Sequence, residues 1–237
     1  MARTKKPSGL RPKPPKVAKL NRRSAFREPL CDIVAVCEGK VTEPEYIRWF
    51  KNQHRHPLVH VESVPGVGVP KTVVSRAIEI LRERQDASRR DQDRLNKLIQ
   101  VWVVFDRDDH DSYEQAIIDA TKAGLHLADS NPCFELWGVL HFRDQTASID
   151  RVKIQKDLAS LMQGYDHEAS PRFICDTLED SHDQAVVRAK NLEDRCREAG
   201  NPCGNPSTRV HNLTTSISTA MDQLARRQQA AARRADL

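Results

Sequence analysis

At 237 residues the chain is long enough to bury a full-sized core, and one α/β domain with extensions is the default reading. No stretch approaches the apolar length of a membrane span. The first residues are basic and proline-containing where a secretory signal needs an apolar run, so the expectation is a cytoplasmic protein with no membrane partner.

The net charge of +5 is unevenly spread: residues 1–29 carry ten Lys or Arg against one acid, Glu28, which leaves residues 30–237 with 28 bases and 32 acids. The first segment reads as a basic disordered arm, with Arg3, Lys5, Lys6, Arg11 and Lys13 as candidate contacts for nucleic-acid phosphates. The plainer reading is a solvated tail. Cysteines 31, 37, 133, 175, 196 and 203 form no CxxC pair and have no histidine at zinc-finger spacing, which disfavours both a disulfide framework and a zinc site.

In chain order, DIVAVCEGK (32–40) is a short buried strand that stops at Glu38-Gly39. A helix follows, for which Thr42 and Glu45 supply a capping box, with Pro44 tolerated in its first turn. LVHVESV (58–64) alternates as a strand, and GVGVPKT leads into a helix of roughly 70–97. IQVWVVF (99–105) is apolar on both faces, as expected of a central strand in a parallel sheet covered by helices. A helix ending at Gly124 and a short strand at 125–130 come next. NPCFELWGVLHF (131–142) is predicted as a helix capped by Asn131 with Pro132 as its first residue, which would put Asn131 and Glu135 on one face. Further helices are expected over about 150–163, 181–199 and 212–234. Strand and helix alternate, the pattern of a doubly wound α/β layer. The division is an arm (1–29), an α/β core (30–145) and a helical C-terminal extension packed on that core (146–237).

The chemistry concentrates where apolar strands end. In a strand, residues i and i+2 point the same way, so Asp106 and Asp108 can aim at one point beyond the strand's carboxyl end, the edge where open α/β sheets bind ligands. Glu38 also stands just past a buried strand. If the two strands are neighbours, three carboxylates meet; they repel one another unless a cation intervenes, and such hard oxygen donors select Mg²⁺ or Mn²⁺. Metal-assisted phosphodiester chemistry is the natural use. The competing reading makes these acids turn and cap residues. A haloacid-dehalogenase reading fits less well, because Asp109-His110 follows the DxD and Glu38 would have no role.

The succession VAVCEGKVTEPEYI, VVFDRDDH and SNPCFELWGVLHF resembles the RloB-like family of bacterial defence-associated proteins and, through it, the TOPRIM fold of topoisomerases, primases and OLD-type nucleases. The likeness spans about residues 30–142, and NPSTRVHNL at 205–213 is similar to the family's C-terminal signature. It implies a TOPRIM-like Rossmannoid parallel sheet flanked by helices, with a helical C-terminal extension. It gives Glu38 the part of the TOPRIM glutamate, in acid–base or metal-binding roles, and gives Asp106 and Asp108 that of the metal-binding DxD, while Asp109 supports the metal through water or caps the next helix. Family members look like nucleases encoded beside an AAA/ABC-type ATPase. The chain itself has no Walker A motif, so any ATP dependence comes from a partner.

Other residues carry weaker signals. Lys40 is placed to hold a scissile phosphate, against an exposed loop lysine. Glu43 either extends a second metal site or complements the helix dipole, and the dipole role is favoured. Glu135 is a candidate catalytic acid or base; His141 reads as a packed histidine; Asn205, Ser207 and Thr208 read as caps for the last helix, and His211 as more often structural. Tyr46, Tyr113 and Tyr165 lie in helical or polar contexts, which favours hydrolysis over topoisomerase-like strand transfer. The leading expectation is a Mg²⁺-dependent nuclease acting on DNA or RNA in anti-phage defence. The alternative is a non-catalytic nucleic-acid-binding or regulatory subunit of an ATPase-containing complex.

Overall fold

The structure, a computed structural model, describes residues 31–53, 59–90, 98–107, 112–220 and 222. Strand β1 (Cys31–Cys37) is buried along its whole length. It pairs in parallel with β2 (Val59–Val64) on one side and β3 (Leu98–Val104) on the other, so that Ala35 lies between Ser63 and Trp102. A short β4 (His126–Leu127) extends the sheet beside β3, giving the order β2-β1-β3-β4. Alternation then divides the side chains between two cores. Ile33, Ala35, Cys37, Trp102 and Val104 face one layer of helices, and Val34, Val36, Val101 and Val103 face the other. This two-sided burial is why β1 from Ile33 onward and the end of β3 are uninterrupted apolar runs.

Helices α2 (Pro70–Arg90) and α3 (Tyr113–Lys122) cover the valine face. Against the other face lie α1 (Thr42–Gln53) and α4 (Glu135–Phe142), and α4 is enclosed in turn by α5 (Arg151–Leu161) and α6 (His182–Glu198). A helix α7 begins at residue 210. Being apolar nearly all round, α4 is buried from Glu135 to His141. An added Cβ at Gly138 would meet Phe173 and Leu158 at about 3 Å, so the close approach that glycine permits serves helix packing. The architecture is a parallel α/β layer of Rossmann-like type. No described helix is long and apolar enough to cross a membrane.

Several local expectations are corrected. The capping box at the start of α1 does not form: the Thr42 hydroxyl donates to Pro171 O at 2.6 Å and Glu45 pairs with Arg172 at 2.8 Å, so tertiary partners take both groups. Residues 131–134 are not helical. Asn131 belongs to a two-residue strand β5 (Ser130–Asn131), antiparallel to β6 (Ser207–Thr208), and its amide donates to Cys203 O. It therefore shares no helix face with Glu135. Ser207 and Thr208 act as strand partners, and Asn205 clamps the backbone of Ile149 by accepting from its N–H and donating to its carbonyl. Of the capping role, what survives is the bond from Val210 N to the Thr208 hydroxyl at 3.4 Å. The helix predicted to reach 97 is described as far as Arg90, and 91–97 lie outside the described residues.

Candidate carboxylate site

Parallel pairing of β1 with β3 brings the two strand ends together at the carboxyl edge of the sheet. Glu38 N donates to Val104 O at 2.9 Å, and the Glu38 carboxylate accepts from Asp106 N at 3.1 Å. The Glu38 side chain thus spans the join between the strands. Beside it is a cavity of about 220 Å³, into which Glu38, Glu43, Asp106 and Glu135 all face, together with Arg151 and His167.

Each carboxylate has a different environment. Glu43, on the first turn of α1, is buried and accepts from Gly39 N at 3.2 Å. Burial pushes its carboxyl up to about 7; N–H bonds from its own backbone and Gly39 oppose this, while Glu135 and Glu38 reinforce it. The dipole reading of Glu43 is therefore incomplete: its carboxylate is turned into the cavity. Asp106 is held well above the usual carboxylate range by burial first, then by Glu43 and Glu135, despite an ion pair to Arg151 at 2.7 Å. For Glu135 burial also acts upward, but hydrogen bonds from His167, Cys133 and Tyr165 outweigh it and hold the acid down at about 2. The bond to Glu135, at 3.0 Å, raises the His167 pKa in return.

The donor set suits a hard cation: oxygen ligands from Glu38, Glu43, Asp106 and Glu135 crowd one cavity with one guanidinium to offset them. The arrangement is not a finished metal cage, since among the described residues no three His, Cys, Asp or Glu side chains are grouped as a cation site and Arg151 occupies Asp106. Asp108 and Asp109 lie outside the described residues, as do Arg3, Lys5, Lys6, Arg11 and Lys13. Lys40 does not line the cavity. It is exposed, and its stem lies over Gly66, where φ is +68° and an added Cβ would come within 2.7 Å of Lys40 Cγ.

Arg151, His167 and Tyr165 were not expected at the site. Arg151 is the first residue of α5, just after the N-cap Asp150, whose carboxylate accepts from Lys153 N. His167 and Tyr165 follow that helix, and Tyr165 donates its hydroxyl to Glu135 at 2.8 Å. No spacing relative to the DxD marks them, because tertiary packing alone brings this segment over α4.

The tyrosines are poor nucleophile candidates: Tyr46 is fully buried, Tyr113 donates to Asp129, and Tyr165 serves Glu135. His211 is buried against Thr208 O and Glu193, away from the cavity. His141 is packed edge-on to Trp137. Ser181 Oγ donates to Leu178 O, so it accepts from His141 Nδ1–H and leaves Nε2 unprotonated and buried. Burial, with His182 and Arg188 nearby, lowers this histidine to about 3. A histidine depressed in the folded state contributes stability that is present above its unfolded pKa and lost as pH falls towards the folded value. We therefore expect urea stability to decline by a few kcal/mol between about pH 6.5 and pH 3, and His141 to remain neutral at pH 5 by NMR. An imidazole titrating near pH 6.5 at this position would contradict the assignment.

A family model described as RloB-like protein matches residues 33–217. No curated protein and no solved structure gives a significant match.

Proposed function

The chain belongs to the RloB-like family, and from that premise and the carboxylate cavity we propose that it is a metal-dependent TOPRIM-type nuclease, hydrolysing phosphodiester bonds of DNA or RNA in bacterial anti-phage defence with an AAA/ABC-type ATPase partner. One observation carries the reading: Glu38 and Asp106, from the ends of adjacent parallel strands, share a hydrogen bond at the mouth of a cavity that holds two further buried acids.

Asp106, with Glu38 and the neighbouring Asp108 and Asp109 of the sequence, would hold Mg²⁺ or Mn²⁺. Such an ion supplies an activated water and neutralises charge developing on the phosphate. Glu38 would accept the proton of the attacking water, a role supported by its carboxylate facing the cavity and accepting from Asp106 N. Glu135 is a weak base because His167 and Tyr165 hold it ionised. Its work is to orient His167 and favour the imidazole's charged form, with the ring partly exposed at the cavity where a phosphate oxygen would arrive. The basic arm would add affinity that falls with salt.

The test is divalent-metal-dependent cleavage of DNA and RNA by the purified protein, alone and with the ATPase. Glu38→Gln should reduce cleavage by about a hundredfold or more. It should also remove phage protection in cells while the complex still forms, since Glu38 belongs to the chemistry and not to a docking surface. Full protection by the Glu38→Gln pair would instead promote a regulatory subunit that only binds nucleic acid.

A further inference from the structure

Arg151 stands in the wall between two cavities. On one side is the carboxylate cavity, where its guanidinium donates to Asp106 Oδ2 at 2.7 Å. On the other is a space of about 410 Å³, lined by Arg107, Asn131, Asp150, Arg151 and Asn205 among others. Among the described residues its lining has two guanidinium groups and one carboxylate, that of Asp150, and Arg107 also pairs with Glu114 at 3.8 Å. The Asp150 carboxylate is already engaged in capping α5. Arg107 is held towards the second cavity by its bond to Cys203 O at 2.9 Å and by its position 5.3 Å from the Tyr113 ring centre. Two arginines therefore flank a space next to the reactive acids, and one of them, Arg151, also reaches Asp106.

The Arg151–Asp106 pair is open to water chiefly on the arginine side, the Arg151 side chain being 39% exposed against 16% for Asp106, so an entering anion would meet the guanidinium first. Arg151 also blocks the site as it stands. A divalent cation at Asp106 would sit beside a guanidinium on the same carboxylate, and the two positive charges repel. Guanidinium binds phosphate oxygens in a fork geometry at least as well as it binds carboxylate.

We propose that Arg151 is an exchangeable guard: it covers Asp106 until a phosphodiester group enters the Arg107 cavity and draws it across, so that nucleic acid and divalent cation bind this chain cooperatively. This rests on the nuclease reading and adds its regulation. By linkage the coupling is reciprocal, with metal tightening nucleic-acid binding as much as nucleic acid tightens metal binding. Free protein at cellular Mg²⁺ then has a poorly loaded site, and loading follows contact with a strand.

The experiment measures Mn²⁺ binding by electron paramagnetic resonance of the free ion, using folded full-length protein checked by circular dichroism. The added probe is a short phosphorothioate oligonucleotide, as DNA or RNA, and the Mn²⁺ it binds alone is subtracted. In wild type the oligonucleotide should tighten Mn²⁺ binding about tenfold. Arg151→Gln should bind Mn²⁺ about that much more tightly without oligonucleotide and gain less than about twofold from its addition. Arg151→Lys keeps the charge without the fork and should retain part of the coupling. If wild-type affinity is indifferent to oligonucleotide while Asp106→Asn still abolishes Mn²⁺ binding, the guard is overturned and the metal site stands. If Mn²⁺ binding is indifferent to Asp106→Asn, the metal site itself falls and takes the guard with it.

Discussion

Asp106→Asn should lower metal-dependent cleavage by about a hundred- to a thousandfold while leaving the protein more heat-stable at neutral pH than the wild type. The two effects have one cause. The Asp106 carboxyl is held well above its ordinary range by burial, then by Glu43 and Glu135, with Arg151 only partly compensating. A carboxyl raised in the folded state contributes stability that is fully present below its unfolded pKa and is lost as pH rises through the folded value. Asparagine mimics the protonated acid at every pH, so the melting-temperature advantage of the variant should be small near pH 4 and grow towards pH 8. Scanning calorimetry in a chelator at several pH values measures it directly. An advantage that shrinks as pH rises would mean that Arg151 neutralises Asp106 fully and that the crowding of acids has no energetic consequence.

A second large effect is expected at a residue with no side chain. A Cβ at Gly39 would lie 2.7 Å from Glu43 Oε1 and closer still to its other oxygen, and Glu43 is buried and hydrogen-bonded to Gly39 N. Gly39→Ala should destabilise the protein by about 1–3 kcal/mol, the usual penalty of forcing atoms into a filled space. It should also disturb the cavity, because the Glu43 carboxylate that must give way lines it together with Asp106 and Glu135. Shortening the obstructing side chain tests the cause: the double variant Gly39→Ala with Glu43→Ala should cost less than the sum of the two single changes in urea unfolding. Strict additivity would show that the glycine serves some need other than room for Glu43.

The sheet was legible because its central strands are buried on both faces, and such burial writes itself as the uninterrupted apolar runs of β1 from Ile33 onward and of the end of β3. The proximity of Glu38 and Asp106 was legible for the same reason, since residues just past neighbouring parallel strands must meet. Arg151, His167 and Tyr165 left no such trace. They reach the cavity because α5 packs on α4, and tertiary packing has no fixed period in sequence. The Asn131-Pro132 pair was misread although it held a clue: the residue before a proline is driven towards extended backbone, as Asn131 adopts in β5, and the helix-start reading of Asn-Pro ignored that preference. The Thr42 and Glu45 pattern failed differently, because distant partners at Pro171 and Arg172 outcompeted a local cap.

The β5–β6 pairing has a consequence for how the molecule is born. Ser130 and Thr208 share a hydroxyl contact across 78 residues, Asp129 O accepts from Arg209 N, and Ile149 is clamped by Asn205. Closing loops of this length is entropically slow, and a ribosome delivers the later strand long after the earlier one. The strands that lead into Glu38 and Asp106 emerge early, whereas α4 lacks its cover on one side until α6 is made and β5 has no partner until β6, later still, is made. Vectorial synthesis therefore separates the appearance of the acids from the completion of their enclosure. A polypeptide interrupted before α6 would present the apolar surface of α4 to chaperones and proteases before it could present an organised cavity to any nucleic acid.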